Sequence, residues 1–239
     1  MPRTAGVQAS ASPLVDRGGP VLTTVQPYAI WWGPASGLPS DAVAGMANFF
    51  AGLGGSAYAG VATQYLRGAR LSIAPVVNLV DPSAPSSSGS EASIAAEVAK
   101  VTGRRIDPAG LYFVFTSNRS RGGNYCAWHS SARIAGRVVP YAYMPNLDRA
   151  TDCDPGDRFG ANAYSEGTRA WANVTAHELM EAVTDPQPSA ATAGWLDGNG
   201  EEIGDKCAWK FSAPVRLANG SRWQLQQEWS NAARGCVQG

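Results

Sequence analysis

The chain has 239 residues, enough for one large domain or two small ones with a sizeable core. Its 19 basic residues balance its 19 acidic residues and no Lys/Arg-rich run occurs, so neither nucleic acid nor an anionic membrane is indicated as a partner. The longest apolar stretches, 71–80 and 138–144, are far shorter than the roughly 20 residues of a membrane-spanning helix.

Residues 1–19 are polar and show no periodic pattern, so we expect a flexible N-terminal tail. They also lack the basic start and apolar stretch of an export signal, so we expect any such signal to have been removed. The remainder, 20–239, is predicted to be a single domain, with the sheet and helices in 20–185 and a loop-rich part in 186–239.

Strands are predicted where β-branched and aromatic residues concentrate, at 21–32, 71–80, 111–116, 138–144 and, as short strands, near 208–211 and 222–229. The stretch 71–80 is expected to be buried. Helices are predicted from the Ser40-Asp41 cap through Val43, Met46, Phe49 and Phe50, at 91–101, and at about 168–184, where Pro186 ends the helix. This order predicts an α/β (α+β) fold with a mixed sheet and backing helices.

The four cysteines are Cys126, Cys153, Cys207 and Cys236. None belongs to a Cys-x-x-Cys pair, so a zinc ribbon or a redox motif is not indicated. We therefore expect two disulfides. Sequence proximity favours Cys126 with Cys153 and Cys207 with Cys236, although the spacing leaves the other two pairings open. Disulfides in turn favour an exported protein.

The segment His177-Glu178-Leu179-Met180-Glu181 lies on the predicted 168–184 helix. His177 and Glu181 are four residues apart, so their side chains lie on one face and can converge on a single ion. The pattern is similar to the helical His-Glu-x-x-His zinc site, with glutamate as the second ligand. We predict a zinc ion here, with Glu178 as a general base.

A third protein ligand is expected from the acidic segment 197–205. Asp185 is excluded because it lies roughly 12 Å beyond His177 along the helix axis. In spacing, Glu201 and Asp205 resemble the third ligand and the His-orienting aspartate of the thermolysin-like metallopeptidases. Glu202 is equally reachable and is slightly favoured, because burial of Ile203 would place it beside the site. Outer-shell support for His177 is expected from Asp205 or another carboxylate.

The His-Glu segment and His129 can each also be interpreted without an active site. A polar face opposite an apolar stripe is also what a solvated surface helix shows, so the His-Glu segment need not bind metal. His129, the only other histidine, either packs near Cys126 in a structural role or belongs to the active site as a catalytic group.

Calcium is a lesser alternative to zinc. The alternation of Asp197, Asn199 and Glu201 is how calcium loops begin, but the sixth-position glycine of an EF-hand is missing. A second acidic loop offers Asp152, Asp154 and Asp157. Such loops are more often simply solvated.

Several short segments together resemble the secreted exordium, or phosphate-induced, protein family in its microbial form. These segments are 18–22, 31–33, 111–116, 126–129, 177–186 and 202–207. The resemblance implies an extracellular protein with a zincin-like core. Plant members of that family lack the His-Glu helix motif, so the resemblance leaves a non-catalytic protein open.

We therefore expect a zincin-like fold and a secreted, monomeric zinc metallopeptidase that hydrolyses peptide bonds. A peptide or protein substrate would add as a strand along 138–144, taken as the sheet edge. The alternative is a non-catalytic extracellular binding or cell-wall-associated protein with structural metal or none.

Overall fold

The computed structural model describes residues 12–119, 125–156 and 164–239. The strands are β1 (Val15–Asp16), β2 (Thr24–Trp32), β3 (Ser72–Ile73), β4 (Val77–Asp81), β5 (Gly110–Thr116), β6 (Trp128–Ile134), β7 (Arg137–Met144), β8 (Trp195–Leu196), β9 (Val215–Arg216), β10 (Arg222–Trp223), β11 (Glu228–Ser230) and β12 (Gly235–Val237). The helices are α1 (Ala42–Leu53), α2 (Ala57–Gly60), α3 (Glu91–Val101) and α4 (Glu166–Thr184), with short 3₁₀ turns at Ala35–Gly37, Val61–Tyr65 and Asp205–Cys207.

The central sheet has the strand order β3-β2-β5-β7-β6, with β4 pairing β2 beside β3. β2, β3, β4, β5 and β7 run parallel, and β6 is antiparallel to β7. The predicted α/β (α+β) class with a mixed sheet is confirmed. Along β2 and β5, alternate side chains enter two different cores, because successive residues of a strand point to opposite faces. One core holds α1 and α4, and the other holds α3.

α4 lies between the sheet and the C-terminal segment 186–239. Its first turn is fixed by Ser165, whose hydroxyl oxygen accepts a hydrogen bond from the Thr168 backbone N–H. Asp41, the predicted cap of α1, instead accepts hydrogen bonds from the Ser165 and Thr168 hydroxyls and so ties the starts of the two helices together. From residue 170 onward every side chain of α4 is buried.

The C-terminal segment contributes to the same core as the sheet. Ile203, Trp223, Leu225 and Trp229 are buried together with side chains of α1 and α4. The predicted disulfides Cys126–Cys153 and Cys207–Cys236 are both confirmed. In the described part of the chain, no helix combines the length and apolar character needed to cross a bilayer.

The predicted flexible tail is wrong for its last residues. Within 12–19, β1 pairs antiparallel with β8, and Leu14 is buried in the main core. The Arg17 guanidinium also donates a hydrogen bond to the Asp197 carbonyl oxygen. Sequence patterns miss this pairing because two-residue strands carry no periodicity.

Four other expectations are corrected. The predicted buried strand at 71–80 is two short strands at a sheet edge, and Val80 is 71% exposed. Val43 points to solvent rather than into the core. Residues 208–211 form a turn rather than a strand, with Lys210 N–H bonded to the Cys207 carbonyl.

The fourth correction concerns the sheet edge. β7 lies between β5 and β6, so the predicted edge strand 138–144 is internal. The edge strand on this side is β6, where no strand is predicted from the sequence because polar residues interrupt its apolar pattern.

Candidate metal centre

The last two turns of α4 present His177, Glu178 and Glu181 to a polar cluster inside the protein. The side chains of His177 and Glu178 are fully buried, and that of Glu181 is 4% exposed. A solvated surface helix is therefore ruled out, because the polar face of α4 is covered by other parts of the chain. Buried charged groups need partners, and the surroundings supply them.

Asp205 completes one potential ligand group. The Nε2 atom of His177 lies 3.1 Å from Oε1 of Glu181 and 3.7 Å from Oδ1 of Asp205. The three residues can each offer one ligand atom, all within 4.8 Å of one another. His177 Nε2 and Asp205 Oδ1 are buried and have no hydrogen-bond partner among the described residues. Nitrogen and carboxylate oxygen are suitable donors for zinc, so the residues fit the predicted ion.

Gly204 lets the chain carrying Asp205 approach α4. A Cβ atom at this position would lie 2.5 Å from Nδ1 of His177 and 3.0 Å from Oε1 of Glu181, closer than side chains tolerate. The backbone N–H of Asp205 also donates a hydrogen bond of 3.1 Å to that Glu181 oxygen. Because Gly204 has no side chain, the loop can pack directly against the helix.

His129 lies in the same cluster as His177 and Glu181. β6 places its Nδ1 atom 3.4 Å from Oε2 of Glu178 and 3.4 Å from Oε2 of Glu181. Its Nε2 atom lies 3.6 Å from Oε1 of Glu202 and donates a hydrogen bond of 3.1 Å to the Asp185 carbonyl oxygen. His129, Glu181 and Glu202 form a second potential ligand group.

Two other acidic residues stand outside both groups. Glu201, considered above as a third ligand, is in neither group, and its backbone instead bonds to Asp197. Asp185, excluded above, accepts a hydrogen bond from the Gly194 N–H and borders a cleft of about 280 Å³ that Glu202 also lines. This cleft is a candidate route to the cluster.

The calcium alternative is disfavoured at both acidic loops. The Asp197 carboxylate accepts hydrogen bonds from the N–H groups of Asn199 and Glu201, from Ser12 and from Lys206, which occupies its four acceptor positions. Asp152 pairs with Arg119, and Asp154 pairs with Arg169. Asp157 lies outside the described residues.

The cluster shifts the pKa of its members. Burial disfavours the charged imidazoles, but the carboxylates outweigh burial, raising the pKa of His177 to about 9 and that of His129 well above its ordinary value. Burial and the Glu181 charge raise the pKa of Asp205 to about 6. Burial opposes ionisation of Glu181, yet the charge on His177 lowers its pKa.

Gln226 is the contact that sequence analysis missed. Its side-chain nitrogen lies 2.7 Å from Nδ1 of His177 and 3.0 Å from the Gly204 carbonyl oxygen. A histidine that binds metal through Nε2 carries its proton on Nδ1, so metal binding requires the Gln226 amide to turn its oxygen toward the ring. That turn would give up the hydrogen bonds that the amide makes with the Gly204 carbonyl and the Trp209 N–H. The alternation of apolar Trp223 and Leu225 with polar Gln224 and Gln226 was the available signal.

No family model, no curated protein and no solved structure matches this chain. Function is therefore inferred from the chemistry of the cluster.

Proposed function

We propose that the chain is a zinc-dependent hydrolase that cleaves peptide bonds, with zinc held by His177, Glu181 and Asp205. The observation that carries the proposal is the convergence of these three side chains within 4.8 Å inside the protein. From the sequence, Glu202 is slightly favoured as the third ligand, whereas the contact between Asp205 and His177 favours Asp205.

Glu178 is the proposed general base. Burial raises the pKa of a carboxyl, but neighbouring positive charge lowers that of Glu178 and favours the ionised form that can accept a proton from the attacking water. With His177 bound to zinc as neutral imidazole, the ion would supply that positive charge. His129, 3.4 Å away, holds the Glu178 carboxylate in position. Bound zinc would supply Lewis acidity and lower the pKa of its water.

The substrate is proposed to lie along β6. This strand forms one edge of the central sheet within the described residues, and His129 near its start belongs to the cluster. An extended peptide can pair with such an edge through backbone hydrogen bonds, leading toward Glu178.

Secretion, a zincin-like core and the exordium resemblance belong to the same proposal. Two disulfides support an oxidising compartment outside the cytosol. The monomeric state stays a prediction.

The burial of the cluster favours a second candidate, a non-catalytic extracellular protein with a structural ion. His177 and Glu178 are inaccessible, and solvent reaches the two groups mainly through Glu202, 14% exposed, and Asp205, 37% exposed. Structural zinc sites are closed in this way, whereas catalytic sites keep an open position.

Replacement of Glu178 separates the two candidates. Zinc-loaded wild type and Glu178→Gln are compared on a quenched fluorescent peptide library, and zinc content is measured by elemental analysis. We expect turnover to fall by at least about 100-fold with zinc retained, because loss of a general base costs that much. Glu166→Gln, at the far end of α4, is the matched control and should keep full turnover.

Other outcomes have definite meanings. Bound zinc with no peptide turnover in wild type would favour the structural candidate. No bound zinc, even after zinc is added back, would overturn both and leave a buried network of imidazolium and carboxylate groups.

A further inference from the structure

The carboxylate of Glu181 faces both histidines, one with each oxygen. Its Oε1 lies 3.1 Å from His177 Nε2, and its Oε2 lies 3.4 Å from His129 Nδ1. The two potential ligand groups share Glu181, and neither contains both histidines. A carboxylate that offers one oxygen to each of two separate ligand groups is placed to bridge two ions.

The proton on His129 is positioned as in a metal ligand. A carbonyl oxygen only accepts, so the 3.1 Å contact with Asp185 O fixes a proton on Nε2. In the neutral ring, the Nδ1 lone pair then points toward anionic oxygens of Glu178 and Glu181. Positive charge is required at this contact, and either a proton on Nδ1 or a bound cation supplies it. Ligating histidines commonly donate their other N–H to a backbone carbonyl in this way.

The charge balance of the cluster favours more than one cation. Among the described residues, the ion-pair partners of Glu181, Glu202 and Asp205 within 4 Å are the two histidines. The nearby ammonium of Lys206 is held by Asp197 instead. With Glu178, the cluster places four carboxyl groups against two imidazole rings, an excess of acidic groups that bound cations would balance. Buried charge of this kind requires compensation.

Glu202 gives the second group its own ligand and its own access. Its Oε1 atom is buried and has no hydrogen-bond partner in the described parts of the chain. Glu202 and Asp185 both line the cleft of about 280 Å³. The group containing His129 therefore lies on the side of the cluster that borders this cleft.

We propose that the chain binds two divalent cations bridged by Glu181, one with His177 and Asp205 and the other with His129 and Glu202. The inference rests on the proposed zinc site and adds a second ion to it. Paired ions are used by hydrolases in which both the attacking and the leaving atoms need stabilisation, a class that includes aminopeptidases.

Counting ions tests the proposal without measuring activity. The full chain is stripped with chelator, titrated with Zn²⁺, and analysed by native mass spectrometry and elemental analysis. We expect two zinc ions in wild type and one each in His129→Gln, Glu202→Gln, His177→Gln and Asp205→Asn. Glu201→Gln, a carboxylate on the same loop outside both groups, is the matched control and should keep two.

Thermal unfolding checks that each variant is folded, and Glu202→Gln tests the second site if His129→Gln does not fold. One zinc in wild type, lost in His177→Gln and kept in His129→Gln, would overturn the second site but leave the proposed hydrolase intact. One zinc lost in every variant would show a single shared ion and would also overturn the pair. No zinc would overturn both proposals.

Discussion

Replacing Asp197 with asparagine should destabilise the protein strongly, because Asp197 anchors the loop that carries Glu202 and Asp205. Its Oδ2 lies 2.8 Å from the Lys206 Nζ, and both side chains are fully buried. Lys206 also lies 4.3 Å above the ring of Trp229. Asparagine keeps one acceptor oxygen, so its NH₂ must face either the Lys206 ammonium or the backbone N–H groups that Asp197 now accepts.

Two estimates give the magnitude. Removing one partner of a buried ion pair costs about 3–5 kcal/mol, because the other charge stays buried. Burial opposes ionisation of Asp197, but Lys206 and the loop N–H groups lower its pKa from 3.8 to about 2. That shift corresponds to roughly 2.5 kcal/mol of stability above pH 4, which is lost as pH falls through 3.8 toward 2.

The assay is urea unfolding at pH 7 with the disulfides intact. We expect Asp197→Asn to lower the free energy of unfolding by about 3–5 kcal/mol. The matched control is Arg67→Gln in the exposed pair of Arg67 and Asp16, where the change should stay below about 1 kcal/mol. An Asp197→Asn protein within about 1 kcal/mol of wild type would refute the anchoring role.

Three further predictions concern the site and a distant buried acid. Gln226→Met should weaken zinc binding about 10- to 100-fold, because it removes the partner of His177 Nδ1. Competition with a chromophoric chelator measures the zinc affinity. An unchanged affinity would show that Gln226 does not orient the ring. Gly204→Ala should push the loop away from α4 and so lower the zinc affinity. It should also lower the free energy of unfolding by about 1–3 kcal/mol. Gly198→Ala is the control, because a Cβ atom at that position meets open space. Burial and Asp81 raise the pKa of Glu97 from 4.5 to about 7, so the free energy of unfolding of wild type falls as pH rises from 4.5 to 7. At pH 8, Glu97→Gln should therefore have a free energy of unfolding higher than that of wild type by roughly 3 kcal/mol, measured by urea unfolding. Equal differences at pH 5 and pH 8 would contradict that pKa.

The local part of the site was predictable from sequence. His177, Glu178 and Glu181 lie within five consecutive residues, so helical geometry alone brings His177 and Glu181 together. α3 was predicted with its observed bounds because its amphipathic spacing is a local signal. The disulfide pairing was likewise predicted from proximity along the chain.

The non-local part was harder to predict. His129 reaches the cluster through β6, a polar strand added antiparallel at one edge of a largely parallel sheet. The sequence of β6 has no hydrophobic periodicity that would predict a strand. Because β6 was not predicted, the strand at 138–144 was expected to be the edge of the sheet. The roles of Glu202 and Asp205 depend on how closely Gly204 approaches His177, which spacing alone does not specify.

The burial of α4 from residue 170 onward also bears on the kinetics of ligand exchange. An ion bound to His177 cannot leave through the helix, which has protein on every side of its last turns. The exposed parts of the cluster are Glu202 and Asp205, both on the segment held by Asp197 and by the pairing of β1 with β8. Metal uptake and release would then be gated by opening of that segment, so cutting away residues 1–19 should speed dissociation of the ion even where its equilibrium ligands are untouched.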